Sequence, residues 1–553
     1  MLKTRLVSSQ EKPFLDNTVE QFPAFDRVTV LGGEKLSCQL VYMDQGEPYA
    51  EKRGWAETIL SGTLAPFTSM WLVGNVPVER PVVPGRTDDQ YVRMTPGLYP
   101  DVLMAVHYKG KVKVSREKLH ALWLEVQIPE TICGEQELTV TLSLPEGIRV
   151  TQQLQVNVIR AVLPEQKTLF TQWFYCDGLA SWYDVKPWSE RHWEIVENFA
   201  RVATERGRNM LYTPLLTPAL NTDPGFERIP TQLVEVTRTN GEYTYEFARV
   251  DRWIDMCDRI GIKYLEISHF YHQDHAKHSA KVYGTVDGVY RQIFGWDTLA
   301  LDPEYQKFLR GLVAAFVAHL KARGDDKRCY YHISDEPGLE CLEHYKAVKE
   351  AIVDLIAEYP IMDALSDYEF YKTGALPLPV PTTRDAHVFV ENGVEKLWVY
   401  YACNQVVDYS NCYLAMPYYR TRSLGMQLYK YKIAGFLHWG YNYYNNAGSG
   451  DCINPYLDLS GEDWVPAGDT FMVYPERDGT PLLSTRMLSL EEAFQDIRAM
   501  ELCERYYSHE EVVAAMEEVL GEEITFRRCA HSAEEMLAVR ARINEMIEKA
   551  LRQ

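Results

Sequence analysis

Near Leu163-Pro164 the hydrophobic period of the chain changes, and this change limits the available folds more than any other feature. Before it, apolar and polar residues alternate in short runs. After it, short apolar runs alternate with stretches of helical spacing. The first region holds RVTVLGG, SCQLVYM, ALWLEVQIP, ELTVTLSLP and QLQVNVIRAVL, separated by Gly and Pro signals such as VPGR and TPGLYP. No helical stretch interrupts these β-branched and aromatic runs, so residues 1–162 are expected to form an all-β sandwich.

Beyond the change, TLFTQWFY reads as a strand and SERHWEIVENFARVATERG as a helix, with Ser189 as N-cap and Gly207 as stop. NMLYTPLL, IKYLEISHF and CYYHIS are further strands. The helix DPEYQKFLRGLVAAFVAHLKARG opens on Asp302 and Pro303 and carries one apolar stripe, Phe308, Leu312, Phe316 and Leu320. A helix from about Leu339 to Glu358 and the strands IMDALSDYE, AHVFVE, KLWVYYAC and GFLHWGYNYY bring the count to eight strands. Their near-continuous apolar character suits strands covered on both faces. No Gly-rich phosphate loop follows any of them, which argues against a doubly wound sheet. The expectation is a multidomain protein: the sandwich, a central (β/α)8 TIM-type barrel over 163–500, and a helical tail, 501–553, packed on the barrel. The last helix of that tail carries a Ser532/Glu535 capping box in its sequence.

In such a barrel the C-terminal strand ends build the site. Tyr175 and Asp177 follow the first strand, His269 the third, and Asp335 and Glu336 the fourth. Asp367, Tyr368 and Glu369 follow the fifth, Tyr400 and Tyr401 a later one, and Trp439 and Asn442 the last. Carboxylates and aromatic faces without a basic cluster suit sugars, which stack on rings and bond through hydroxyls. The 57 basic residues against 78 acidic ones give a net charge of −21, which disfavours nucleic acid and anionic membrane surfaces as partners. No stretch approaches membrane-spanning length, and MLKTRLVSSQEKPF lacks the apolar run of a signal peptide. Eleven scattered cysteines without CxxC spacing read as reduced thiols, so a cytoplasmic setting is expected.

The segment CYYHISDEPGLE sets two carboxylates side by side where a strand stops. A turn into a helix N-terminus would tolerate both, since acids are favoured there. Glycoside hydrolysis offers the other reading: it needs a general acid whose pKa is lifted by burial or by a neighbouring negative charge. Strand alternation places Tyr330, His332, Ser334 and Glu336 on one face, and Ile333 and Asp335 on the other. Asp335 therefore reaches Glu336's pocket only if the backbone turns, which Pro337 favours.

The segments PGLYPDVL, HISDEPG, GFLHWGYNYYNN and GDTFMVYPERDGTPLLSTRMLSLEEAFQDIRAM, in that family's order, resemble glycoside hydrolase family 123, which includes β-N-acetylgalactosaminidases. The resemblance implies a retaining exo-glycosidase acting on terminal β-linked N-acetylhexosamine, GalNAc ahead of GlcNAc. In it Glu336 matches the general acid/base. Asp335 matches the residue that orients the 2-acetamido group, whose carbonyl oxygen attacks C1 to give an oxazolinium ion. A Tyr hydroxyl and a Trp under the ring would complete the site, with Tyr368 or Tyr401 and Trp439 as candidates. Two alternatives stand beside it. One is a barrel glycosidase with Glu369 or Asp367 as a conventional nucleophile on a sugar lacking the acetamido group; the other is a carbohydrate-binding protein without turnover.

The run HFYHQDHAKH spaces His269, His272, His275 and His278 by three, but loop spacing does not converge ligands, and no metal or cofactor is expected. Of these, His269 at the strand end is expected to touch substrate. His332, Trp173 and Trp398 read as core residues, and Trp296 in IFGWDT as an aglycone-side platform.

Overall fold

The computed structural model describes residues 2–45, 54–106, 110–145, 147–226 and 228–552. Its N-terminal region is a sandwich of two five-stranded sheets. One sheet runs Leu2–Ser8, Lys35–Asp44, His120–Gln127, Thr68–Val78 and Gly97–Ala105, antiparallel throughout. The other runs Arg27–Gly32, Arg149–Val162, Gly134–Ser143, Trp55–Ser61 and Lys111–Lys113, with only its first pair parallel. Period-two alternation puts Leu138, Val140 and Leu142 inward on one strand, where they meet Leu40, Leu122 and Leu124 of the facing sheet. Each such burial contributes roughly 1.5–3 kcal/mol.

The central region contains eight short parallel strands: Leu169–Gln172, Met210–Thr213, Tyr264–Ile267, Cys329–Tyr331, Met362–Ala364, Leu378–Val380, Trp398–Tyr401 and Gly435–His438. Among the described residues their ladders form three separate sheets rather than one closed sheet. Gly435–His438 lies between Leu169–Gln172 and Trp398–Tyr401, and Tyr264–Ile267 between Met210–Thr213 and Cys329–Tyr331. Met362–Ala364 pairs with Leu378–Val380. Single parallel bridges, Tyr331 to Ile361 and Thr382 to Tyr400, stand in two of the gaps. In the third, the Asn209 N–H donates to the Phe170 carbonyl at 3.2 Å.

The helices of this region follow their caps. Ser189 accepts from the His192 N–H, and Asp302 accepts from the N–H groups of Glu304 and Tyr305. Three expectations need correction. AHVFVE is the helix Ala386–Glu391, and the sixth strand is Leu378–Val380 in the Pro-rich LPLPVP. The helix expected over 339–358 is a 3-10 turn, Leu339–Cys341, followed by the helices Leu342–Glu350 and Val353–Ile356. Glu535 does not complete a capping box: Ser532 accepts its N–H at 3.1 Å, but its carboxylate turns to Arg528 at 2.8 Å. In the tail, the helix His509–Leu520 has a complete box, Ser508 with Glu511. A four-stranded insertion sheet, spanning residues 235–294, was not anticipated.

Three helices finish the chain, Thr485–Cys503, His509–Leu520 and Ala533–Leu551, the first running across the expected division at Met500. The sandwich is fastened to them by buried charges. Asp101 accepts from Arg486 at 2.8 Å, and Glu34 from Arg540 at 2.6 Å. A cavity of about 450 Å³ lies along this junction, but four of the charged groups in its wall, Glu34, Arg422, Glu492 and Arg540, already pair with other residues of the chain. No described helix is long and apolar enough to cross a membrane.

Candidate active site

The fourth central strand ends at Tyr331, and Asp363 gathers the backbone that leaves it. Its Oδ1 accepts from the Ile333 N–H at 3.0 Å, and its Oδ2 from the Ser334 N–H at 3.3 Å and the Tyr345 hydroxyl at 2.7 Å. Two residues later Glu336 adopts φ +44°, a left-handed conformation that costs a residue with a Cβ roughly 1–2 kcal/mol. That turn breaks strand alternation, so Asp335 and Glu336 line the same cavity, of about 470 Å³.

The two carboxylates have different surroundings. Asp335 is half-buried, and its Oδ1 is buried with no hydrogen-bond partner in the protein. Burial, the adjacent Glu336 charge and the Asp363 charge hold the Asp335 carboxyl well above the usual carboxylate range. Glu336 is exposed toward the cavity, and its Oε1 accepts a short hydrogen bond from the Tyr400 hydroxyl. Burial and the carboxylates keep that phenol protonated and therefore a donor. Trp173, Trp439 and Trp464 supply the cavity's aromatic walls.

Two of these tryptophans are oriented from behind by buried acids. The Trp173 indole N–H donates to Glu266 Oε1 at 2.8 Å, and the Trp439 N–H to Asp469 Oδ2 at 3.1 Å. Asp469 comes this close because Gly440 has no side chain; a Cβ there would lie 2.3 Å from the Asp469 carbonyl. Behind Asp469 lie His438 and Cys412, a grouping with metal-like spacing. However, His438 Nδ1 faces two N–H donors, Gln172 Nε2 at 2.9 Å and the Gly440 backbone at 3.3 Å. Nδ1 therefore accepts, the proton sits on Nε2, and the imidazole has no lone pair to offer a metal between Cys412 and Asp469.

Of the residues singled out from sequence, Asp335, Glu336 and Trp439 line the cavity, and so does Asp367. Asp367 is engaged as an N-cap, accepting from the Phe370 N–H at 3.1 Å. Glu369 is exposed and paired with Lys372 at 2.9 Å, away from the cavity. Tyr368 turns to Phe389. Tyr401 packs on Phe436 and His438; its neighbour Tyr400 is the one that reaches the carboxylates. Asn442 clamps the Tyr175 backbone through both its amide groups, at 2.9 and 3.1 Å. The Tyr175 ring lies against Tyr443, and Asp177 is buried in a 2.9 Å ion pair with Arg228. His269 is buried and neutral, bonded to the Tyr212 hydroxyl at 3.0 Å. Trp296 stacks on His272 at 3.8 Å. None of these last eight belongs to the cavity wall. The four histidines do not converge: His278 pairs with Asp274 at 2.6 Å, and His275 sits 3.7 Å from Glu340. Trp173 is buried in the core, as read, and also lines the cavity, which Tyr400 and Trp464 complete.

Adjacent acids, one bonded to a phenol, inside an aromatic cavity at parallel strand ends, are the equipment of an enzyme that cleaves glycosidic bonds. The family model for the glycoside hydrolase 123 catalytic domain matches residues 173–503. The chain belongs to glycoside hydrolase family 123. Its fold is shared by a family 123 glycoside hydrolase from Clostridium perfringens, studied for glycolipid glycan hydrolysis. That structure matches at 14% identity and a TM-score of 0.73, over 100% of this chain and 97% of the other. A Bacteroides ovatus GH5 xyloglucanase matches at 9% identity, covering 85% of this chain and 98% of its own, with a TM-score of 0.29, too low to carry an argument. No curated protein matches the chain.

Proposed function

We propose that this glycoside hydrolase is a retaining exo-enzyme that removes terminal β-linked N-acetylhexosamine, GalNAc ahead of GlcNAc, with the substrate's acetamido group as nucleophile. The observation that carries the reading is the pairing of Asp335 and Glu336 in one cavity, with a buried Asp335 oxygen free to accept. The acetamido N–H would donate to that oxygen, which favours the carboxylate form of Asp335. Glu336, held at Oε1 by Tyr400, would protonate the glycosidic oxygen as the C1–O bond breaks. The acetamido carbonyl oxygen would close on C1, giving the oxazolinium ion. Water, losing its proton to the Glu336 carboxylate, would then reopen that ring with retention. Such substrate assistance needs no second carboxylate across the sugar. That agrees with Asp367 being tied up as a cap and Glu369 facing solvent.

The eight central strands are best read as one (β/α)8-type ring. The bridges Tyr331–Ile361 and Thr382–Tyr400 and the Asn209–Phe170 bond fall at the three gaps between ladders, and the carboxylates then sit at the C-terminal rim. We propose the division 1–162, 163–500 and 501–553, with the helix Thr485–Cys503 bridging the last boundary.

Aryl β-GalNAc, β-GlcNAc and β-galactoside substrates test the assignment. The expected result is cleavage of the acetamido sugars alone, fastest for GalNAc, and loss of it in Asp335→Asn and Glu336→Gln. Turnover of the plain galactoside would instead assign a carboxylate nucleophile.

A further inference from the structure

Beneath the cavity three fully buried residues, none of which lines it, form a hydrogen-bonded column: Glu266, His332 and Asp363, each 0% exposed. His332 Nε2 lies 2.8 Å from Glu266 Oε1, and Nδ1 lies 3.1 Å from Asp363 Oδ1. Both ring nitrogens face carboxylate oxygens, so both must donate and the ring is an imidazolium. Burial alone would lower its pKa, but the bonds to Asp363 and Glu266 outweigh this and carry it up to about 9. The same occupancy removes the nearby grouping of His269, His332 and Asp363 from consideration as a metal site, because His332 has no free lone pair.

Each end of the column holds a piece of the site. At one end Glu266 Oε1 takes the Trp173 indole N–H at 2.8 Å, while Thr171 caps Oε2. At the other, Asp363 binds the N–H groups of Ile333 and Ser334, directly before Asp335 and Glu336. We propose that Glu266, His332 and Asp363 are positioning residues that lock the Trp173 face and the carboxylate-bearing turn into one rigid unit. The inference rests on the glycosidase reading for its consequence in catalysis, not for its geometry. A displacement of about 1 Å in such a unit can cost as much as a hundredfold in rate.

Glu266→Gln is the decisive variant, because it keeps the shape and the acceptor for Trp173 while removing one of the two charges on His332. Four groups face His332: Glu266 and Asp363 bonded to it, His269 stacked on it at 4.1 Å, and Asp335 above. Of these, Glu266 is the one altered. On aryl β-GalNAc the expected result is a kcat lowered about tenfold with KM within about threefold, and an alkaline limb shifted to lower pH. Asp363→Asn should shift that limb the same way, which a purely structural role would not do. The second readout is the indole emission of Trp173, taken as wild type minus Trp173→Phe. It should change between about pH 8 and 10 in the wild type and at lower pH in Glu266→Gln. Folded variants with the wild-type kcat, alkaline limb and emission profile would overturn the proposal. A wild type that cleaves no acetamido sugar would overturn the N-acetylhexosaminidase reading instead, leaving the column to be judged on the emission profile.

Discussion

At Glu336 the backbone does what a strand pattern cannot: a single left-handed residue brings two neighbouring side chains into one cavity. The pair itself was legible in the sequence, because adjacent acids before a proline at a strand end are unusual. Its companions were less so. Tyr400 and Tyr401 are indistinguishable by type, and only the phase of their strand decides which faces the carboxylates. Trp173 was read as core because it was placed inside a strand; it is buried core, but it stands one residue past the strand end Gln172 and so also reaches the cavity. Tyr400→Phe removes a charge-assisted bond of about 1.5–3 kcal/mol. It should lower kcat/KM on aryl β-GalNAc roughly tenfold to a hundredfold while leaving the melting temperature nearly unchanged. Asp335 gives a pH prediction. Burial and neighbouring charge raise its pKa, so its carboxylate is lost, as pH falls, at a higher pH than the ordinary value of about 3.9. The acid limb of kcat/KM should accordingly lie above that value. For His332 the sign runs to the alkaline side. With a folded pKa of about 9 against an unfolded value near 6.5, its contribution to stability is full below about pH 6.5 and lost as pH rises through about 9.

Among the elements, strands with β-branched runs were read correctly both where one face is buried, as in Gly134–Ser143 of the sandwich, and where both are, as in Trp398–Tyr401. The sixth central strand was not, because LPLPVP carries three prolines where a ladder usually needs donors. Leu378–Val380 tolerates Pro379 because it is only three residues long and its ladder partner is the equally short Met362–Ala364. AHVFVE was read as a strand from local propensity, but tertiary context made it a helix, with Asp385 at its N-cap position. At the last strand the close approach of Gly440 to the Asp469 backbone sets the Trp439 wall. Gly440→Ala should separate the two segments, weakening sugar binding through KM, and should lower the melting temperature by several degrees. An unchanged KM and melting curve would show that the approach is not needed.

Across the whole molecule, the sandwich and the C-terminal helices are coupled to the catalytic region through buried ion pairs that sequence could not reveal, since their partners lie hundreds of positions apart. Asp101 and Arg486 are the extreme case, both essentially unexposed. Removing one partner of such a pair costs about 3–5 kcal/mol. Asp101→Ala should therefore lower the unfolding midpoint well beyond what surface substitutions do, measured by chemical denaturation. The central claim, that the sugar's own acetamido group is the nucleophile, is tested most directly by replacing it with mono-, di- and trifluoroacetamido groups on an aryl β-GalNAc. Each fluorine weakens the carbonyl oxygen as a nucleophile, so kcat should fall steeply and progressively across the series. A kcat that stays level through the trifluoro compound would contradict the account and assign the attack to the protein.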